Sequence, residues 1–264
     1  MNKASFTDIR HFPSLADRKV SLVSFSILVF FLTILSLIET GFYYGKINNT
    51  FHIPIVLKLY DLPQFGDDAF YQSLRYYSSL LWPLLATFTT EATAPTVFLF
   101  VFIVSRFILF IALLWLAFEF GARTIGTLGL AGLFLVATHF LKGVSPVGAH
   151  DLFIDYLSHT TLATALLLLS MLTQFRGYWL LSCALAGIAF STNAILGIWA
   201  LSIIIAIQFA GPSGILRKKI TLYSLAGLAL GALAFLSRLS HKNFTCLSID
   251  SRVETESAKF SMAA

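Results

Sequence analysis

Apolar residues fall along this chain in long, nearly unbroken runs, not in the alternating or one-faced stripes of a soluble fold. The runs are Leu22 to Ile38, Val97 to Phe118, Ile125 to Leu141, Thr160 to Leu172 and Leu180 to Phe209. Several approach the roughly 20 residues that cross a hydrocarbon core of about 30 Å as helix. A closed barrel would need short alternating strands, and the pattern offers none, so the helix is the spanning element. The expectation is an all-α protein: a polytopic transmembrane helix bundle of about seven spans in a lipid bilayer.

Taken in order, residues 1–19 form a polar cytoplasmic tail with Lys3, Arg10, Arg18 and Lys19. Leu22 to Ile38 is the first span, and no A-x-A-like site follows it, so an uncleaved anchor is expected. Residues 45–95 make a first outer loop too apolar for a linker, with Ile53 to Tyr60 and Phe70 to Leu85 as interfacial segments. Tyr71, Tyr76, Tyr77 and Trp82 are expected at headgroup level. Ser79 to Thr90 reads as a surface-lying or re-entrant helix.

Val97 to Glu119 then returns, and Ile125 to Leu141 leaves through a ladder of small residues, Gly126, Gly129 and Gly132, that permits close helix contact. Residues 142–156 form a second outer loop, and Leu157 to Leu172 returns. Tyr178 to Phe209 is 32 residues long, and Ser191, Thr192 and Asn193 divide it into two short helices meeting at a polar turn. Ile220 to Leu239 is the last span, with Gly227 and Gly231 in GxxxG spacing. The helical domain thus covers residues 20–239, and residues 240–264 read as a disordered polar tail.

Charge fixes the orientation. The net charge is +5, yet only 12% of residues are charged, and the basic ones sit in the short connections. On the inner side stand Lys3, Arg10, Arg18, Lys19, Arg123, Arg176, Arg217, Lys218 and Lys219; on the outer side, before the tail, only Lys46, Lys58, Arg75 and Lys142. That asymmetry places the N-terminus in the cytoplasm and removes nucleic acid as the natural partner. Cys183 and Cys246 are too few for a disulfide framework.

The outer loops carry the candidate chemistry. Asp67, Tyr71 and Arg75 lie at i, i+4 and i+8, one face of a helix starting after Gly66. Asp151, Asp155 and His159 repeat that spacing at the fourth span. Acids also favour helix N-termini for dipole reasons, and outer loops need solvation whatever they do. Two acid-bearing loops on one side can supply a general base with an orienting partner. They can also hold a weakly bound Mg²⁺ or Mn²⁺, with Asp67, Asp68 and Asp151 as ligands. Arg106 is the one basic residue deep in a span, where a charge faces a cavity or a partner. Glu39, Glu91 and Glu119 are expected in solvent near span ends. His150 joins the site beside Asp151, and Asn193 lies at the outer turn.

This layout resembles the N-terminal module of the GT-C superfamily of membrane glycosyltransferases. The resemblance covers about Lys19 to Leu239 and rests on one span, a long first outer loop with the acidic pair in Gly66-Asp67-Asp68, and a second outer loop carrying His150-Asp151 and Asp155. It implies transfer of a sugar from a polyprenyl-phosphate-linked donor to an acceptor on the extracytoplasmic face. Asp67 or Asp68 would then act as base and Asp151 or Asp155 as second-loop acid. Arg75, Arg106, Lys142 and His150 are the groups available for the departing lipid phosphate. Family members continue with further spans and often an outer domain, whereas seven spans and a polar tail are expected here. A transporter or channel subunit and a truncated noncatalytic membrane scaffold are the alternatives.

Overall fold

A computed structural model describes residues 20–77, 79–138 and 153–210, together with Leu222 and Ala229. The expected tails at 1–19 and 240–264, the last span, and the candidates Lys142, His150 and Asp151 lie outside the described residues.

Among the described residues the chain is helical throughout, without strands. Helix α1 (Leu22–Thr40) starts where Ser21 accepts a hydrogen bond from the Ser24 N–H and stops at Gly41, whose φ of 70° an L side chain rarely adopts. Its buried positions, Val29, Leu32, Thr33, Ser36 and Thr40, make one stripe. The rest of its surface is equally apolar: Leu22, Val23, Ile27, Phe30, Phe31, Ile34 and Ile38 all face outward.

Short elements follow: α2 (Asn49–Val56), two 3₁₀ turns at Leu59–Asp61 and Pro63–Phe65, α3 (Ala69–Leu74) and α4 (Leu81–Leu85). At about 1.5 Å per residue, the five residues of α4 cannot cross a bilayer. Helix α5 (Ala94–Glu119) is the longest at 26 residues, opened by Pro95 near its first position. Then come α6 (Ile125–Ala137), α7 (His159–Phe175), α8 (Trp179–Thr192) and α9 (Ala194–Ala210). Of these helices, α1 and α5 are long and apolar enough to cross a membrane, whereas α6 to α9 are apolar but shorter. Against the expected seven spans, the described residues hold two helices of spanning length and four of 13 to 17 residues. Turns at Gly121, with φ 110°, and Gly177, with φ 81°, end α5 and α7 while the neighbouring sequence is still apolar.

Packing runs α6 to α1, α1 to α5, α5 to α7, and α7 to the α8–α9 pair. The glycine ladder faces α1: a Cβ on Gly132 would stand 2.2 Å from Leu32 Cδ1, and one on Gly129 would touch Leu28. Asn193 divides the last long apolar run where the Ser-Thr-Asn triplet predicts, and α9 folds back on α8. A Cβ on Gly197 would lie 2.2 Å from Phe190 Cα, so the hairpin closes only over glycine. Ser170 and Ser182 lock α7 to α8 reciprocally, each hydroxyl donating to the other's carbonyl at 2.8 Å. Three apolar clusters result: one between α1, α5 and α6, one between α8 and α9, and one under α2, α3 and α4 built on Ile55, Trp82, Phe98 and Leu157.

Candidate functional site: the polar end of the bundle

The C-terminal end of α1, the N-terminal ends of α5 and α7, the α8–α9 turn and the short helices all meet at one end of the molecule. Ser79 Oγ donates to Thr192 O at 2.8 Å, the Leu80 N–H to Ser191 O at 2.8 Å, and Asn193 Nδ2 to Thr160 Oγ1 at 3.3 Å. Segments far apart in sequence therefore share one surface.

The second loop docks on the start of the first. The Tyr43 N–H donates to Asp155 O at 2.7 Å, and Lys46 Nζ pairs with Asp155 Oδ2. That bond holds the exposed ammonium above its ordinary range, the hydrogen bond to Asp155 being the main cause. Burial, with the Asp155 charge added, pushes the Tyr156 phenol up.

Arg106 is almost fully buried, at 1% exposure, beneath this junction. Its Nη1 donates to Ser36 O at 2.8 Å and Thr40 Oγ1 at 2.7 Å, its Nη2 donates to Ile154 O, and its plane lies over Phe102 and Phe153. Asp155 and Glu39 are the carboxylates whose charge reaches it. A guanidinium so enclosed is a clamp between α1, α5 and the second loop. Where a lipid phosphate was the expected partner, its Nη1 and Nη2 donate to the protein's own oxygens.

The stripe proposed for Asp67, Tyr71 and Arg75 does not form. Helix α3 begins only at Ala69, with Asp67 in the preceding turn and Arg75 at the C-cap. Asp68 is the N-cap, its Oδ1 accepting from the Phe70 and Tyr71 N–H groups at 2.9 and 3.1 Å. Arg75 turns back to Tyr60 O and Asp61 Oδ1 at 3.0 and 3.1 Å and lies over the Tyr60 ring. Asp67 is exposed and makes no hydrogen bond among the described residues. The second stripe fails for a like reason: Ser158 caps α7, so Asp155 precedes the helix. No three His, Cys, Asp or Glu side chains gather as metal ligands among the described residues, with Asp151 outside them.

Three further placements correct expectations. Trp82 is fully buried between His52 and Phe98 instead of lying at a headgroup interface. Glu119 is mostly buried at the opposite end of the bundle, paired with Arg176 and accepting from Trp115 Nε1 at 2.8 Å; Glu39 likewise has both oxygens buried.

A cluster that sequence patterning passes over lies beside the Asp155 junction. His52 stacks on Trp82 with ring centroids 3.9 Å apart, meets His159 edge-on at 5.4 Å, and lies 3.4 Å from Tyr77 Oη. Burial, with His159 as a lesser cause, lowers the His52 pKa to about 3, so the ring is neutral at physiological pH. Asn49, one turn earlier on α2, is buried as well. The available signal is Asn49 and His52 at i, i+3 within an otherwise apolar helix, but only the fold brings His159, from more than a hundred residues on, against His52.

The sequence matches no family model, no curated protein and no solved structure, so function is read from these residues.

Proposed function

We propose that the chain is a multi-pass helical membrane protein with a cytoplasmic N-terminus whose polar end faces the extracytoplasmic side. A helix as apolar outward as inward, like α1, is at home in lipid and not in water. We further propose that it transfers a sugar from a polyprenyl-phosphate carrier to an acceptor at that end. The observation that carries this reading is the Lys46 to Asp155 pair, 109 residues apart in sequence, because a two-loop site needs both polar segments at one place. Asp67 is the base in this reading: it is exposed and makes no hydrogen bond among the described residues, while Asp68 is occupied in capping. Lys46 and Arg75, exposed cations of the first loop, would meet the departing phosphate in this reading.

Asp67→Asn is expected to abolish transfer, with lipid-linked sugar accumulating and one sugar missing from surface glycans, while the protein inserts and folds as before. Unchanged glycans in cells making this folded variant contradict the reading. A noncatalytic scaffold is the second reading, favoured by the engagement of Asp68, Arg106 and Asp155 with the protein's own groups. It predicts that deleting the gene leaves the lipid-linked sugars untouched.

A further inference from the structure

Asn49 is fully buried, and neither its Nδ2 nor its Oδ1 has a partner among the described residues. The same holds for Nδ1 of His52, which is 1% exposed, for Nε1 of the fully buried Trp82, and for Nδ1 of His159. The His52, Trp82 and His159 rings lie within 5.9 Å of one another by centroid, and Asn49 shares the buried face of α2 with His52. A buried polar atom without a partner costs about 1–3 kcal/mol, and native proteins rarely leave several together. Three such atoms on the clustered rings, with two more on the same buried face of α2, mark a place where something polar completes the bonding.

We propose that Asn49, His52, Trp82 and His159 form a binding site for an uncharged, hydroxyl-bearing small molecule. An amide offers one kind of donor and one acceptor, an indole only donates, and a neutral imidazole does either according to its tautomer. A hydroxyl, which donates once and accepts twice, can pair with any member of that set, and five unpaired atoms call for at least two hydroxyls. Charge argues for neutrality: the rings in contact with His52 and Trp82 belong to Tyr77, Phe98 and His159, and none brings a carboxylate or a fixed cation. Aromatic faces beside amide and imidazole suit a molecule with both C–H and O–H surface. Entry is through α2 to α4, helices of five to eight residues whose local opening costs less than global unfolding. The site adds a ligand class to the transfer reading, yet its binding stands apart from catalysis at Asp67.

The test is saturation-transfer NMR on the purified full chain in a detergent without sugar headgroups. The probes are methyl glucoside, methyl mannoside, methyl galactoside, N-acetylglucosamine and glycerol, with inorganic phosphate as the charged control. At least one neutral probe is expected to receive saturation and phosphate none. Asn49→Leu and His52→Phe should each lower that signal at least tenfold without lowering the melting temperature, since same-shaped apolar groups remove the unmet hydrogen bonds. Asp67→Asn should leave it intact. No transfer to any neutral probe, or transfer that survives both substitutions, overturns the proposal and means that internal water alone fills the cluster. Binding without any sugar-transfer activity would overturn the enzyme reading and leave this site standing.

Discussion

Arg106 on α5 donates to Thr40 Oγ1 on α1 at 2.7 Å, and the same guanidinium reaches Ile154 O in the second loop. Ser36 and Thr40 also hold each other within α1, where Thr40 Oγ1 donates to Ser36 O at 2.9 Å, so among the described residues the group that depends wholly on Arg106 is the Ile154 carbonyl. Arg106→Met, which keeps much of the volume, should therefore cost about 1–3 kcal/mol from one stranded carbonyl. Arg106→Ala should cost about 2 kcal/mol more from the emptied space. Thermal unfolding of the detergent-solubilised protein measures both. Equal losses in the two variants would show that volume and not hydrogen bonding holds the junction.

Two glycines should differ in how much they resist alanine. At Gly197 the new methyl meets the Phe190 main chain, which cannot move without opening the α8–α9 hairpin. At Gly132 it meets only the tip of Leu32. Gly197→Ala is expected at or beyond the upper end of the roughly 1–3 kcal/mol range for overpacking, and Gly132→Ala at the lower end. Leu32→Val added to Gly132→Ala should recover part of the loss, and no such partner exists for a main-chain clash. Melting temperatures of the three variants decide the matter.

At the opposite end, Glu119 and Arg176 have side chains only 15% and 14% exposed, and Glu119 also accepts from Trp115. A double-mutant cycle with Glu119→Gln and Arg176→Met should give a coupling of about 1–3 kcal/mol, above the value for pairs in open water. A coupling near zero would mean that α5 and α7 are joined there by apolar contact alone.

His52 predicts an acid-side loss of stability. Its folded pKa of about 3 lies below the ordinary 6.5, so between those values the unfolded chain binds a proton that the folded chain does not. Its contribution is complete above about pH 6.5 and is lost as pH falls toward 3, at no more than about 1.4 kcal/mol per pH unit. His159 and Tyr77 are the titratable groups facing it. The stability-versus-pH curve of His52→Phe should be flatter than wild type across that window. Parallel curves would mean that the imidazole is hydrated in the folded state.

Much of the helical layout was legible in the chain, for identifiable reasons. Long apolar runs can only be helices, and the polar triplet ending at Asn193 had to interrupt the last of them. Gly129 and Gly132 face another helix, as small residues in series suggest. What patterning misjudged was where helices begin. Asp68 and Ser158 each take the N-cap, so Asp67 and Asp155 fall outside the helices on which their four-residue spacing would have aligned them with Tyr71 and His159. Spacing has meaning only inside a helix, and a capping side chain decides where that inside starts. The His52 cluster was illegible for a different reason: its members are scattered singly along the chain, and tertiary packing alone gathers them.

The proposed function requires that the two polar loops meet on the extracytoplasmic side of a membrane. Lys46→Cys and Asp155→Cys, in a background with Cys183 and Cys246 changed to Ala, test it in intact cells with a membrane-impermeant thiol reagent and a short bis-maleimide. Each single cysteine should be labelled from outside, and the pair should be cross-linked within one chain. Labelling only after the membrane is permeabilised, or two accessible cysteines that never cross-link, would contradict it.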